Sequence, residues 1–364
     1  MTQRALRIYA GPRARRHIER YGLDPTDISV IPGAAGGPKG LVLGPLDRFL
    51  FGKWLPRSKQ PVHLVGASIG AWRMATACLD DPVPAFERLE RDYIAQDYEL
   101  EPGRKTPSAR HVSERFAQSL QAFYGGRVEQ VLQHPRYRLH IVTSHGRHLL
   151  SREHRLGTPL GYLGAYLANT LHRRALGGWL ERVVFSSGPD PDALSLPFDD
   201  KDFRTRQVHL TPENFHPALQ ASCSIPFVLQ AIHDIPGAPR GAYWDGGITD
   251  YHLHLNYAAA HPRGLVLYPH FQKAVVPGWL DKFFVRRHRA TAALSNVVVV
   301  APSPQWIATL PGAKLPDRND FARYGTDLPA RVQAWTRAAR ASAQLAEEFA
   351  AWTERTDPAL VEAL

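Results

Sequence analysis

The sequence predicts an α/β protein whose largely parallel sheet is covered on both faces by helices. Three observations carry that reading. Short apolar runs alternate with stretches of helical periodicity, two glycine-centred turns each join such a run to a helical pattern, and 364 residues with 44% apolar and 21% charged content can enclose a full α/β core. The same composition excludes a disordered or fibrous chain.

The first strand is expected near Arg7 to Ala10. The cluster Arg13, Arg15, Arg16 and Arg20 after it reads as a solvated helix face. A second strand, Ile28 to Pro32, runs into the turn Gly36-Gly37-Pro38-Lys39-Gly40, after which Leu41, Leu43, Leu46, Phe49, Leu50 and Trp54 repeat with helical spacing. A glycine-rich turn that opens a helix offers unpaired N–H groups to an anion. A phosphate loop is excluded, because Pro38 precedes the lysine where glycine is needed and Gly40 follows it where serine or threonine is needed. Two readings remain: an oxyanion hole built on the Gly36 and Gly37 amides, or a packing turn.

The third strand, Val62 to Val65, ends in Gly66-Ala67-Ser68-Ile69-Gly70, and a helical stretch runs from Ala71 to Leu79. Strand, sharp turn and helix around a G-x-S-x-G sequence are the setting of a nucleophile elbow. Small flanking residues let the backbone turn tightly enough to hold the Ser68 hydroxyl clear of the sheet. The alternative is an ordinary strand-to-helix turn. Between about Val83 and Gly125 several helices are expected as an insertion, with Phe86, Leu89 and Tyr93 inward, placed to roof the site. Further strands are expected near Arg138 to Thr143, Val183 to Ser186, Val208 to Leu210 and Leu265 to Tyr268.

Downstream, the short aromatic run Ala242-Tyr243-Trp244 leads into Asp245-Gly246-Gly247. The two glycines allow the Asp245 carboxylate to lie against another loop, and burial beside Trp244 would raise its pKa from about 3.9 towards that of a useful base. A surface Asp-Gly-Gly turn is the other reading. Four histidines, His252, His254, His261 and His270, follow Asp245 and leave open a Ser-Asp-His triad in the chain order of α/β-hydrolases.

Beyond Tyr268 the pattern changes to a Pro- and Gly-rich passage around Pro302 to Pro316 and one long amphipathic helix from roughly Leu328 to Thr353. The chain thus divides into a hydrolytic domain over 1–270 and a mostly helical extension or cap over 271–364. The stretch Val276 to Arg289, read as a helix, would gather Trp279, Leu280, Phe283 and Phe284 beside Lys282, Arg286 and Arg289, which is either an interfacial anchor or a core element.

A formal charge of +10 draws the chain to anionic surfaces or acidic substrates. No nucleic-acid motif accompanies the charge, so a lipid surface is preferred over nucleic acid. Cys78 and Cys223 fit reduced core thiols, and their spacing makes no metal site. With no long apolar run, a cytoplasmic protein in peripheral contact with an anionic membrane is expected.

The motifs Ala35-Gly36-Gly37-Pro38-Lys39-Gly40, Gly66-Ala67-Ser68-Ile69-Gly70 and Asp245-Gly246-Gly247, in that order, resemble those of the patatin-like phospholipases. Ala221-Ser222-Cys223-Ser224-Ile225-Pro226 resembles the segment that precedes the aspartate in that family, so the likeness spans roughly residues 28–260. It implies a three-layer α/β/α sandwich around a mostly parallel sheet and hydrolysis of lipid acyl esters without metal or cofactor. Carried over by position, Ser68 is the nucleophile, Asp245 the base, and Gly36 and Gly37 the oxyanion donors, supported by Lys39, Gly40, Gly66, Gly70, Gly246 and Gly247. The loop departs from D-G-G-G-x-[RK]-G at Ala34, Ala35 and Pro38. Proline donates no N–H, and losing an oxyanion donor costs about 2.7 to 4 kcal/mol in the transition state. A lipid-binding pseudo-hydrolase is the corresponding alternative.

Overall fold

The computed structural model describes residues 4–99, 106–261 and 263–364. Among the described residues eleven strands form a single mixed sheet: β1 (Leu6–Ala10), β2 (Ile28–Gly33), β3 (Val62–Ala67), β4 (Tyr137–Gly146), β5 (Leu180–Ser186), β6 (Thr205–His209), β7 (Ile232–His233), β8 (Ala242–Asp245), β9 (Leu265–Pro269), β10 (Val297–Pro302) and β11 (Val361–Ala363). Their order is β11-β1-β10-β9-β2-β3-β4-β5-β6, with β8 on β4 and β7 on β8. Most neighbours run parallel, and the helices between them cover both faces, which gives the α/β/α sandwich. Strand β10 is a continuous valine run buried on both faces. It inserts between β1 and β9, so residues beyond 270 contribute an interior strand of the sheet.

The pairing on β4 positions the site. Strand β3 runs parallel to β4 and ends with Ala67 opposite Val142. From the other end β8 runs antiparallel, and its last residue, Asp245, stands opposite Thr143. Two strands therefore meet end to end along one neighbour, and the residue after β3 is Ser68.

Two expected helices differ from the structure. The C-terminal one is two, Leu328–Ala341 and Ala343–Glu354, parted at Ser342, whose hydroxyl bonds back to the Ala339 carbonyl at 2.6 Å. The stretch Val276 to Arg289 holds only two short 3-10 turns, Trp279–Asp281 and Val285–His288. Asp281 is buried there and takes Arg173 at 2.8 Å and Arg287 at 2.7 Å, while His288 bonds its carbonyl. Those bonds fold the segment around one carboxylate instead of into a helix. The insertion contains helices Pro82–Ile94 and Ala109–Tyr124, the first with Phe86 and Leu89 buried; its residues 100–105 lie outside the described ones.

Candidate active site

Ser68 caps the helix Ile69–Ala77 with φ 57° and ψ −131°. A left-handed serine is strained by roughly 1–3 kcal/mol, so the surroundings must hold it. Four close contacts do. The Ser68 N–H donates to Ser222 Oγ at 3.0 Å, and that hydroxyl donates to the Val142 carbonyl at 2.7 Å. A β-carbon on Gly66 would lie 2.3 Å from the Ala71 Cα, and one on Gly70 would lie 1.8 Å from the Gly33 carbonyl oxygen. Glycine at both places lets β3, its helix and the end of β2 touch backbone to backbone.

The Ser68 hydroxyl donates to Asp245 Oδ2 at 2.7 Å. The other carboxylate oxygen, Oδ1, accepts the Gly247 N–H at 2.7 Å. Asp245 N–H and Gly246 N–H are held by the carbonyls of Ser224 at 2.9 Å and Ser222 at 3.1 Å. The segment Ala221 to Pro226 thus grips both the serine turn and the aspartate turn. Behind it, the helix Gly247–Asp250 is pinned by Arg182, fully buried, which forks onto Asp250 at 2.7 and 2.6 Å. Burial raises the Asp245 carboxyl above its ordinary value, against the pull of the Arg318 charge and the Ser68 and Gly247 hydrogen bonds.

The glycine loop packs against both turns. A β-carbon on Gly40 would meet the Ile69 side chain at 3.4 Å, and one on Gly247 would stand 2.7 Å from the Ala35 β-carbon. Gly37, with φ 57°, begins a 3-10 stretch, Gly37–Leu43, whose first amides have no partner within the helix. No hydrogen bond ties the Gly36 or Gly37 N–H to another described residue. Ala34 and Ala35 are buried, and the Ala35 N–H donates to the Tyr251 carbonyl at 2.9 Å. Lys39 is half-buried with its ammonium 5.2 Å from the Phe271 ring centre.

The four histidines lie elsewhere. His252 bonds the Ala274 carbonyl, His254 the Val275 carbonyl and His270 the Gln272 carbonyl, while His261 faces the His63 ring. Among the described residues no histidine hydrogen-bonds to Ser68 or Asp245. Residues 35–252 match the patatin-like phospholipase domain. The chain belongs to the patatin-like phospholipase family. That family is one of lipid acyl hydrolases. Comparison with curated proteins gives no significant match. Among the described residues no helix is long and apolar enough to cross a membrane, and no three potential ligands gather to hold a metal ion.

Two cations outside the matched segment were not legible as site residues. The Arg318 Nε stands 3.3 Å from where a β-carbon on Gly37 would be, and Arg318 pairs with no carboxylate among the described residues. Its loop is fixed by Lys314, which bridges Asp317 at 3.0 Å and Asp320 at 2.7 Å, and by the Trp335 indole on Asp320 at 2.9 Å. Lys282 lies over the Tyr251 ring at 4.2 Å. Loss of water around the ammonium, then the charges of Arg318 and Lys39, lower its pKa to about 8, although the side chain keeps an exposed surface. Nothing in the local sequence marks Arg318, and Lys282 stood out only as part of the basic aromatic segment after Val276, because the topology delivers both to the site. A narrow crevice of about 20 Å³, room for little more than one water, adjoins the loop and is lined by Leu41, Ile69, Phe86, Leu89 and Tyr93 together with Asp47, Arg73 and Glu90.

Proposed function

We propose that this patatin-like protein hydrolyses the acyl esters of phospholipids or related lipids with a Ser68–Asp245 dyad. The observation that carries the reading is the 2.7 Å bond from a left-handed serine to a buried carboxylate whose other oxygen accepts the Gly247 N–H, with no histidine among the described residues interposed. Ser68 Oγ attacks the acyl carbon while its proton passes to Asp245 Oδ2. The carbonyl oxygen becomes an oxyanion held by the Gly36 and Gly37 amides, and the dipole of the helix behind Ser68 favours negative charge there. Collapse breaks the ester bond, and the departing alcohol takes the proton from Asp245. Water then attacks the acyl-serine, gives its proton to Asp245, and the released Ser68 oxygen recovers it as the fatty acid leaves.

Pro38 removes one amide from the loop, and the Arg318 guanidinium over Gly37 supplies a donor in its place. Lys39, Lys282 and Arg318 make the mouth of the site positive, which favours substrates with an anionic head over neutral ones. A fluorophosphonate probe should label the protein at Ser68, and Ser68→Ala should abolish labelling with an unchanged circular dichroism spectrum. Equal labelling of the variant would overturn Ser68 as the nucleophile and favour the reading of the altered loop as that of a pseudo-hydrolase.

A further inference from the structure

The helix Gly157–Leu171 contains no charged residue. Its buried face, Thr158, Gly161, Tyr162, Ala165 and Asn169, is ordinary. The opposite face is not. Leu156, Leu160, Leu163, Leu167 and Leu171 form a single outward stripe, each between 54 and 86% exposed. Helical spacing of 4, 3, 4 and 4 residues puts them on one line, directly across from the buried side chains.

The stripe is not isolated. Tyr166 on its flank stacks on Phe284, with ring centres 6.1 Å apart, and the neighbouring Phe283 is 84% exposed. One turn earlier on the same side Tyr162 meets Phe227 at 5.8 Å, and Phe227 is 60% exposed in a left-handed conformation of φ 69°. The same Tyr162 ring touches Trp244, the residue before Asp245, at 5.8 Å. The apolar face therefore reaches from the outer surface to the wall of the dyad.

Its rim is basic. Arg152 and Arg155 precede the helix, Arg174 follows it, and Arg286 and Arg289 flank Arg287, which bonds the Asn169 carbonyl at 2.8 Å. Those five are exposed or half-exposed and pair with no carboxylate among the described residues. Exposed apolar patches of this extent on a protein mark an interaction surface. An uncharged helix with arginines at its ends and side suits the plane of an anionic bilayer, where leucines enter the acyl boundary and guanidinium groups meet headgroups. A second copy of the chain is disfavoured, because a two-fold contact would bring like-charged rims together and cover the wall of the dyad.

We propose that the leucine stripe of helix Gly157–Leu171, with Phe283 and Phe227, is the face by which the protein inserts into an anionic lipid surface. This deepens the lipid hydrolase reading by naming how the dyad is brought to its substrate, but the binding itself needs no turnover. The stripe leucines lie outside the catalytic machinery.

The test is flotation of the full chain with vesicles of phosphatidylcholine containing 30 mol% phosphatidylglycerol, at low and high salt, using Ser68→Ala so that lipid is not consumed. The triple variant L160S/L163S/L167S should lose at least about tenfold in partitioning, since three apolar side chains no longer leave water. Arg286→Gln with Arg289→Gln should weaken binding at low salt only, because screening removes that contribution at high salt. In the Ser68-containing background both variants should hydrolyse a water-soluble ester at the parent rate, which also reports that they fold. Absence of vesicle binding by the parent, or equal binding by the triple variant, overturns the proposal. So does a parent that sediments as a dimer in solution while the triple variant sediments as a monomer. Failure of Ser68 labelling with intact vesicle binding would refute the hydrolase reading alone.

Discussion

The wall around Asp245 and the face around Leu163 invert the usual distribution of polarity, in opposite directions. At the wall, Ser68, Ser222, Asp245, Asp250 and Arg182 are buried, and each is satisfied by a named partner within 3.0 Å. At the face, leucines stand in the open with no partner. Burying polar groups is tolerable only when every hydrogen bond is made, and leaving apolar groups exposed is sustainable only when something outside covers them. The first arrangement is complete in itself; the second is completed from outside. Mutations should therefore cost stability and chemistry at the wall, and partitioning at the face.

The largest effect on the folded state should come from Asp250→Ala. It strands the buried Arg182 charge, so unfolding free energy should fall by about 3 to 5 kcal/mol in a urea titration. A loss below about 1 kcal/mol would mean that Asp202, which also reaches Arg182 at 3.2 Å, carries the pair. Among functional effects, Asp245→Asn should lower turnover of a short-chain p-nitrophenyl ester by on the order of a hundredfold or more, while each of His252, His254, His261 and His270 can be replaced with most activity retained. The acid limb of the wild-type profile should lie above the ordinary carboxylate pKa, because Asp245 must be ionised to accept the proton and burial raises its value.

How much of this was legible depended on whether the signal was local. The elbow and the aspartate turn could be read because strand, glycines and reactive residue are contiguous, and the pairing of β3 and β8 on β4 then brings Ser68 and Asp245 together. The buried run Val297 to Val300 carries a strand signal of its own, yet it lies in a stretch read as extension, and its place between β1 and β9 is set by pairing distant in sequence. The leucine stripe is visible in the letters but not as a stripe: Tyr162, Ala165 and Tyr166 interleave it, and a helix apolar all round does not reveal which face the sheet will cover. Arg318 gave no signal at all. Its position over Gly37 follows from the Lys314, Asp317 and Asp320 bonds and from Trp335, contributed by a separate helix.

Arg318→Gln sharpens the comparison from the wall side. If the guanidinium replaces the amide lost at Pro38, kcat should fall by roughly tenfold to a hundredfold with KM for a neutral ester little changed, a loss confined to the transition state. The acid limb should also move to higher pH, because Arg318 is the principal charge holding the Asp245 pKa down. A raised KM with unchanged kcat would restrict Arg318 to binding.

Lys282 lies where wall and face meet, and its expected effect is the smallest. Its charge is present below its pKa of about 8 and is lost above it. An anionic headgroup near the ammonium gains about 1 kcal/mol at 4 Å in water, so KM for a phosphate-bearing acyl ester should rise roughly fivefold between pH 7 and pH 9.5. A neutral ester should show no such limb. Lys282→Met should carry the higher KM at every pH and flatten the profile, while leaving fluorophosphonate labelling at pH 7 close to the parent rate. For stability the sign is opposite: a lysine whose folded pKa lies below its unfolded value is a burden while protonated, so the parent should gain stability as pH rises from about 8 towards 10.5, and Lys282→Met should not. If the methionine variant instead keeps the alkaline rise in KM, the titrating group is another cation at the mouth, with Lys39, its pKa also lowered by burial, the next to replace.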